Sequence, residues 1–382
     1  MASEQTRASG SPPGRPIAIR LDRVTKRFPG AASDAVTELS LDLVEGEITA
    51  FVGPSGCGKT TTLKMINRLI EPTSGRIEIF GEDQASLPAH ELRRRIGYVI
   101  QETGLFPHRT IAQNIGTVPH LLGWPAKRIR ERVAELAELV GLDREQLDRY
   151  PSGLSGGQQQ RAGVARALAA DPPILLMDEP FGAVDPVVRT RLQDELIALQ
   201  QSLRKTIVFV THDIEEATRL GDRVAIMDVG GILAQFAPPA EMLRQPANAF
   251  VEEFLGNERG LRELSLIPVS EVPLLRCCEL APTASCSEAL AAMDREGVDW
   301  ALLIDGDRCV GWLDRDLLKE GTTDVGAVAE PLTRSISPSH TLREALEVAL
   351  TSHTRVAIVQ EDGRYRGVLP IERIAGRLED KQ

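Results

Sequence analysis

The sequence of 382 residues has no run of apolar residues long enough to cross a bilayer. A membrane-spanning helix needs about 20 consecutive apolar residues, so no such helix is predicted. Residues 1–16 are small, polar and rich in proline and glycine, and they lack the apolar stretch of a signal peptide. We therefore expect a disordered leader over residues 1–16. If the protein acts at a membrane, we expect it to act as a peripheral subunit.

Cysteine and positive charge are also scarce. The formal net charge is −11, whereas a nucleic-acid-binding surface needs basic residues to contact phosphates, so no nucleic-acid partner is predicted. The five cysteines include no Cys-x-x-Cys pair with partner histidines, which argues against a zinc site. An odd number of cysteines in a long chain fits a reducing compartment, and we interpret them as simple thiols.

Short apolar runs alternate with helical patterns over residues 17–255. The runs PILLMD and TIVFVTHD are typical of buried parallel strands, and AKRIRERVAELAELVG and PVVRTRLQDELIALQQSLR are typical of helices. This alternation predicts an α/β layered domain over residues 17–255. The short, charged segment GNERGLRELSLI, residues 256–267, is predicted to be a linker.

Residues 268–382 contain a weak internal repeat. The first copy runs through SEALAAMDREGV, WALLID, GDRCVGWL and DRDLLKEG, and the second through LREALEVALTSHT, RVAIVQ, EDGRYRGVL and PIERIAGRL. Each copy has the pattern of a helix, a strand, a turn, a strand and a helix. Neither copy has an evident catalytic set of residues.

A glycine-rich motif, GPSGCGKTT, occupies residues 53–61. It matches G-x-x-x-x-G-K-[ST] and lies between the apolar run ITAFV and a predicted helix, which is the context of a phosphate-binding loop. Glycines let the backbone fold tightly so that its N–H groups point at phosphate oxygens, and the helix adds its positive N-terminal end. The alternative is a chance glycine-rich turn, which the flanking strand and helix disfavour. The predicted phosphate-binding residues are Gly53, Pro54, Ser55, Gly56, Cys57, Gly58, Lys59, Thr60 and Thr61, with Lys59 reaching the β- and γ-phosphates.

Polar residues follow three of the apolar runs: Asp178 and Glu179 end ILLMDE, His212 follows TIVFVT, and Gln101 follows RIGYVI. The carboxyl ends of parallel strands meet at the ligand-binding edge of a sheet. We therefore predict that Asp178 and Thr60 hold Mg²⁺ and that Glu179 polarises the attacking water. Two alternatives are that DEP caps the next helix and that the histidine is structural. Beside a phosphate loop we favour a γ-phosphate contact for His212, with Gln101 as the matching residue.

The segment LSGGQ, residues 154–158, completes a set that resembles the ABC transporter ATPase family over residues 17–255. The resemblance implies a P-loop NTPase fold, the ABC-type nucleotide-binding domain with a helical subdomain, and ATP hydrolysis coupled to transport. It implies ATP and Mg²⁺ as cofactors. In the family this signature binds the γ-phosphate of the nucleotide held by a second copy, so a head-to-tail dimer that sandwiches ATP is implied.

The same resemblance assigns roles to individual residues. The implied catalytic residues are Glu179, His212 and Gln101, and the implied metal ligands are Thr60, Gln101 and Asp178. Phe28 stands where the family has an aromatic residue that stacks on adenine, and phenylalanine keeps that stacking face. The remaining implied nucleotide-binding residues are Ser155, Gly156, Gly157, Gln158 and Asp185.

A closer resemblance is to the ATPases of quaternary-amine importers, which take up glycine betaine, choline, carnitine or proline betaine. It is carried by MINRLIEPTSG, IGYVIQETGLFPH, NIGTVPHLLGW and MDEPFGAVDP. It implies permease subunits in the membrane, an extracytoplasmic substrate-binding protein reached through them, and a peripheral position on the cytoplasmic face of the plasma membrane. An importer for another small solute and an ABC ATPase outside transport are the alternatives.

The repeat over residues 268–382 resembles an α+β tandem pair of CBS modules with a regulatory role. Asp314 and Pro370 stand where nucleotide-binding members have a hydroxyl residue, and Leu317 and Arg373 stand where they have a ribose-binding aspartate. From residue 268 onward the chain has 20 acidic and 13 basic residues, the wrong sign for attraction to anionic lipid. Nucleotide binding, sensing of ionic strength and dimerisation alone all stay open.

Overall fold

The computed structural model describes residues 14–101, 104–182, 185–256, 258–318 and 325–379. Most of the predicted leader, residues 1–13, lies outside these ranges. The chain forms two compact units, Met1–Gly256 and Asn257–Gln382. Across the described ranges, every helix is too short or too polar to cross a bilayer.

The strands of the first unit form two sheets. A four-stranded antiparallel sheet has the order β2-β1-β4-β5, and a six-stranded sheet has the order β10-β9-β3-β8-β7-β6. Within the larger sheet the pairs from β9 through β6 are parallel, and only β10 is antiparallel to its neighbour. The strands are β1 (Ile17–Lys26), β2 (Val36–Val44), β3 (Ile48–Val52), β4 (Ser74–Ile79), β5 (Glu82–Asp83), β6 (Ile96–Val99), β7 (Ile174–Asp178), β8 (Thr206–Val210), β9 (Arg223–Asp228) and β10 (Ile232–Ala237).

Helices pack against the parallel sheet, because its central strands are largely apolar. All five residues of β3, of β7 and of β8 are buried, as expected for strands covered on both faces. The predicted α/β layered domain is therefore confirmed. The helices are α1 (Lys59–Ile66), α2 (Ala89–Arg94), α3 (Ile111–Ile115), α4 (Thr117–Leu121), α5 (Ala126–Leu139), α6 (Arg144–Leu147), α7 (Gly156–Leu168), α8 (Pro186–Leu203), α9 (Ile214–Leu220), α10 (Pro239–Arg244) and α11 (Ala249–Leu255).

The helical part of the first unit is inserted between two neighbouring strands. Helices α3 to α7 lie in the chain between β6 and β7, which pair directly in the sheet. Within the insertion, α3 contacts α4, α5, α6 and α7. Thr110 starts the insertion with a capping box, in which its side chain bonds the Gln113 amide and the Gln113 side chain bonds the Thr110 amide. This insertion is the predicted helical subdomain.

The second unit contains two small sheets and four helices among its described residues. One sheet has the order β11-β12-β13-β14 and the other is the hairpin β15-β16. The strands are β11 (Glu279–Leu280), β12 (Trp300–Asp305), β13 (Arg308–Asp314), β14 (Glu330–Pro331), β15 (Val356–Glu361) and β16 (Arg364–Pro370). The helices are α12 (Arg259–Leu264), α13 (Cys286–Glu296), α14 (Leu342–Thr351) and α15 (Ile371–Glu379).

The repeat is visible in the second unit, with one correction. Helix, strand and strand follow each other in both copies, and the second copy ends in α15 as predicted. The segment DRDLLKEG of the first copy was expected to be a helix, but its residues Arg315–Leu317 form a single 3-10 turn. Asp314 accepts a hydrogen bond from the Asp316 amide, and Leu318 leaves the helical region at ψ 88°, so the turn does not propagate. Residues 319–324 lie outside the described part of the chain.

The hydrophobic core of each copy of the repeat includes residues from outside that copy. Leu264, Val269 and Val272, which precede the first copy, are buried in the core of the second copy. Val325, which follows the first copy, is buried in the core of that first copy. The segment 256–267, predicted to be a linker, therefore contains α12 and contributes Leu264 to a hydrophobic core.

Candidate active site

The loop between β3 and α1 has a backbone that only glycine can follow at two positions. Gly53 has φ +151°, and a Cβ there would lie 2.1 Å from the Met227 carbonyl oxygen. Gly58 has φ +95°, and a Cβ there would lie 2.3 Å from the Ala35 carbonyl oxygen. Gly58 is also the N-cap of α1 and offers no side chain to the first-turn amides. An anion can satisfy those amides instead, and the helix dipole favours it.

Lys59 is held inside this loop. Its side chain is only 7% exposed, and its ammonium donates hydrogen bonds to the carbonyl oxygens of Gly53, at 2.8 Å, and Pro54, at 3.0 Å. The Cys57 thiol lies 3.6 Å from the same nitrogen, and burial raises the pKa of that thiol. The loop thus encloses a fixed positive charge beside the open start of α1.

Thr60 and Asp178 bring two hard oxygen ligands together. The Thr60 hydroxyl donates to Asp178 Oδ1 at 2.8 Å, and Asp178 ends β7 with 4% exposure. Burial raises the pKa of Asp178, while the hydrogen bond from Thr60 lowers it. A hydroxyl and a carboxylate suit Mg²⁺, which takes its other ligands from water and phosphates. In the ranges that the structure describes, no group of three or more His, Cys, Asp or Glu residues forms an all-protein metal cage.

Three strand ends converge on the Glu179 carboxylate. Gln101 Nε2 donates to Glu179 Oε2 at 3.1 Å, and His212 Nδ1 lies 3.5 Å from the same oxygen. The Glu179 amide donates to the Val210 carbonyl oxygen at 2.9 Å, so the residue after β7 is tied to the end of β8. Glu179 has φ +46°, a conformation that L-residues other than Asn and Asp rarely adopt. The fold therefore imposes the position of this carboxylate.

The segment Ser155–Gln158 forms a capping box at the start of α7. Ser155 Oγ accepts from the Gln158 amide at 3.4 Å, and Gln158 Oε1 accepts from the Ser155 amide at 2.9 Å. Gly156 and Gly157 fill the first turn, and a Cβ on Gly157 would lie 2.9 Å from Val188 Cγ1. The hydrogen bonds described for Ser155 and Gln158 stay within this turn, whereas the glycine-rich loop is bonded to Asp178.

Two further predicted residues lie at the surface. Phe28 is 39% exposed, and Lys26 Nζ lies 5.3 Å from the centre of its ring. Asp185 is exposed and directly precedes α8, where its Oδ1 accepts from the Val188 amide at 3.0 Å. Both side chains can reach a ligand or a second molecule.

The sequence patterns did not single out two residues near these groups. Burial and the neighbouring Asp178 carboxylate raise the pKa of the Tyr98 hydroxyl, which lies on β6. Glu216, on α9 four residues after His212, is buried. A carboxylate within the largely buried run IEEATRL was the one available signal for Glu216, and Tyr98 reads as an ordinary core aromatic.

Comparison with known proteins gives matches for both units. Residues 36–182 match the family model described as ABC transporter, and residues 325–380 match the one described as CBS domain. The chain is 46% identical over 357 residues to the glycine betaine/carnitine/choline transport ATP-binding protein OpuCA of Bacillus subtilis (strain 168), covering 92% of this chain and 93% of the relative. It is 45% identical over 367 residues to the osmoprotectant import ATP-binding protein OsmV of Salmonella typhimurium (strain LT2), covering 94% and 96%.

A solved structure resembles the first unit. It is a dimeric ATP-binding cassette in a post-hydrolysis state, bound to ADP and Pi, with 33% sequence identity and a TM-score of 0.53. The match covers 58% of this chain and 98% of that chain.

Proposed function

This chain belongs to the ABC transporter family, among the ATP-binding subunits of quaternary-amine importers, and on that premise we propose that the residues at the ligand edge of its six-stranded sheet hydrolyse the ATP that drives uptake. The observation that carries the residue assignment is the convergence of Gln101 and His212 on Glu179. Glu179 is the residue after Asp178, and Asp178 is hydrogen-bonded to Thr60 of the glycine-rich loop.

The glycine-rich loop, residues 53–61, binds the phosphates of ATP. Its charged residue, Lys59, faces the β- and γ-phosphates, and the start of α1 supplies the amides. When Mg²⁺ is bound, it neutralises charge on the phosphate oxygens, and Thr60, Asp178 and Gln101 are the residues that would hold it. Phe28 stacks on the adenine through its exposed ring face.

Glu179 acts as the general base. Its carboxylate accepts a proton from the water that attacks the γ-phosphate, and His212 contacts that phosphate from the neighbouring strand end. Gln101 holds the carboxylate through its amide nitrogen, and the β7–β8 connection at Val210 fixes the backbone. Positioning of this kind contributes to the rate because a misplaced base loses the alignment that proton transfer needs.

The protein works as a dimer with membrane permease subunits and is peripheral to the membrane. We propose that Ser155–Gln158 of one copy bind the γ-phosphate held by the other, and that Asp185 lies at the same junction. The start of α7 supports this, since it is a helix N-terminus with two glycines in its first turn, and a helix N-terminus favours phosphate. We further propose a position on the cytoplasmic face and an extracytoplasmic substrate-binding protein that delivers the solute to the permease.

Glu179→Gln tests the assignment of the base. The amide keeps the shape of the carboxylate but cannot accept the proton, so turnover should fall by a factor on the order of 10² or more. ATP binding, measured by fluorescence or calorimetry, should persist, and the dimer should still close.

Glu135→Gln is the matched control, because Glu135 is an exposed residue of the helical subdomain whose contact with Arg132 is a surface ion pair. Its turnover should equal that of the wild type. Near-wild-type turnover of Glu179→Gln would reassign the base to another residue.

A further inference from the structure

A buried carboxylate close to His212 in the chain takes no part in the chemistry assigned above. Glu216 is 5% exposed, and it lies in the first turns of α9, four residues after His212. Charged side chains are rarely buried unless they are paired and hydrogen-bonded. Burial raises the pKa of Glu216, which is the expected cost of such a position.

One oxygen of Glu216 holds the chain on both sides of His212. The Thr211 hydroxyl donates to Glu216 Oε2 at 2.6 Å, and the Asp213 amide donates to the Thr211 hydroxyl at 3.0 Å. The hydroxyl of the residue before His212 thus accepts from the amide of the residue after it and donates to the buried carboxylate. This arrangement ties the backbone on the two sides of His212 together.

The other oxygen of Glu216 faces α8. Gln193 Nε2 donates to Glu216 Oε1 at 3.4 Å, and Arg189 Nε lies 3.7 Å from the same atom. Arg189 Nη1 also lies 3.6 Å from Asp213 Oδ2. The Arg189 amide donates to the Asp185 carbonyl oxygen at 2.8 Å, so this arginine stands one turn after Asp185. Glu216 therefore connects the strand end that carries His212 with the segment that carries Asp185.

We propose that Glu216 is a positioning residue, which fixes His212 through Thr211 and ties that loop to the Asp185 segment through Arg189. This inference rests on the proposed role of His212. Removal of the carboxylate would leave the Thr211 hydroxyl without its acceptor and the Arg189 guanidinium without one of its two carboxylates. The loop could then shift, and a displacement of about 1 Å at a reacting group can cost about 10²-fold in rate.

Glu216→Ala, in the full-length protein, should lower the kcat of ATP hydrolysis by at least about tenfold, while the KM for ATP should change less than about threefold. The KM is conserved because the glycine-rich loop is untouched. Glu216→Gln keeps an acceptor for Thr211 and loses the charge facing Arg189, so its rate should lie between that of Glu216→Ala and that of the wild type. Thr211→Val removes the hydroxyl and should lower kcat as Glu216→Ala does. Thr211→Ser keeps the hydroxyl and should have a kcat close to that of the wild type.

Asp194→Asn is the matched control. Asp194 on α8 pairs with Arg219 on α9 at 2.6 Å, so it joins the same two helices, but its side chain is 60% exposed. An exposed pair contributes little, and the rate of this variant should stay within about twofold of the wild type. If Glu216→Ala does not fold, then Glu216→Gln and Thr211→Val decide the question.

His212→Ala, measured in parallel, separates failure of the inference from failure of the proposed function. Normal turnover of His212→Ala would remove the proposed role of His212 and the inference with it. A slow His212→Ala together with folded, fully active Glu216→Ala and Thr211→Val would overturn the inference alone. Support requires that Glu216→Ala lower the rate much less in the His212→Ala background than in the wild type, because an effect that passes through His212 is lost when His212 is removed.

Discussion

Among the described residues, the strands and helices of the two units are of similar length, but the first unit gathers Gln101, Glu179 and His212 at one edge of a sheet. Its central strands β3, β7 and β8 are parallel, so their carboxyl ends meet at the same edge. The second unit is built on the antiparallel hairpins β12–β13 and β15–β16, in which consecutive strand ends point in opposite directions. The direction of the strands therefore explains why the polar side chains at the strand ends come together in the first unit.

One pair of polar residues joins the two copies of the repeat in the second unit. Asp314 Oδ2, at the end of β13, lies within hydrogen-bonding distance of His353 Nε2, at 3.0 Å. The ring of His353 lies 5.3 Å from that of Trp312. These contacts join the first copy of the repeat to the second, so Asp314 contributes to the packing of the unit.

Gly53→Ala should have the largest effect, because it changes the phosphate loop on which the chemistry of the first unit depends. A Cβ 2.1 Å from the Met227 carbonyl oxygen forces the loop to move, so ATP binding and hydrolysis should fall by about 10²-fold or more. Gly123→Ala is the control, because Gly123 also has a positive φ of +73° but no atom within 4 Å of the added Cβ. That variant should lose only about 1–2 kcal/mol of stability and keep its ATPase rate. Equal rates for Gly53→Ala and wild type would contradict a phosphate loop.

Leu264→Ala should have the next largest effect, on stability and not on chemistry. Leu264 is fully buried in the core of the second unit, and the cavity should cost about 2–5 kcal/mol of its unfolding free energy. Leu261 lies on the same helix and is 40% exposed, so Leu261→Ala should change that free energy by about 0.5 kcal/mol or less. Urea unfolding and ATPase assays of both variants test this. A loss of hydrolysis in Leu264→Ala would show that the two units are energetically coupled.

Removal of residues 257–382 should have the smallest effect on basal hydrolysis. The hydrogen bonds described for the ATP site all lie within the first unit, which has its own core, so the rate should stay within about twofold. The response of the rate to salt or to a small ligand should change, as measured by ATPase assays over a salt series with each form of the protein. An unchanged response would show that the second unit does not regulate ATP hydrolysis under these conditions.

Much of the first unit follows from local patterns. The five-residue apolar runs of β3, β7 and β8 predicted buried strands, and the motif from Gly53 to Thr61 predicted the loop before α1. These predictions succeed because the period of apolar residues and the glycine positions act over a few neighbouring residues. The repeat of the second unit was predicted by the same means.

The sequence by itself determined the buried strands at the centre of the first unit and the polar residues that follow them. Only the tertiary structure decided that Glu216 faces Gln193 and Arg189 on α8, that α12 packs on the distant second copy of the repeat, and that DRDLLKEG gives a 3-10 turn. Each of these depends on partners remote in the chain, or on a cap that competes with the helix. Because strand order brings β3 beside β8 and β7 beside β6, the contacts that matter join residues that no local pattern connects.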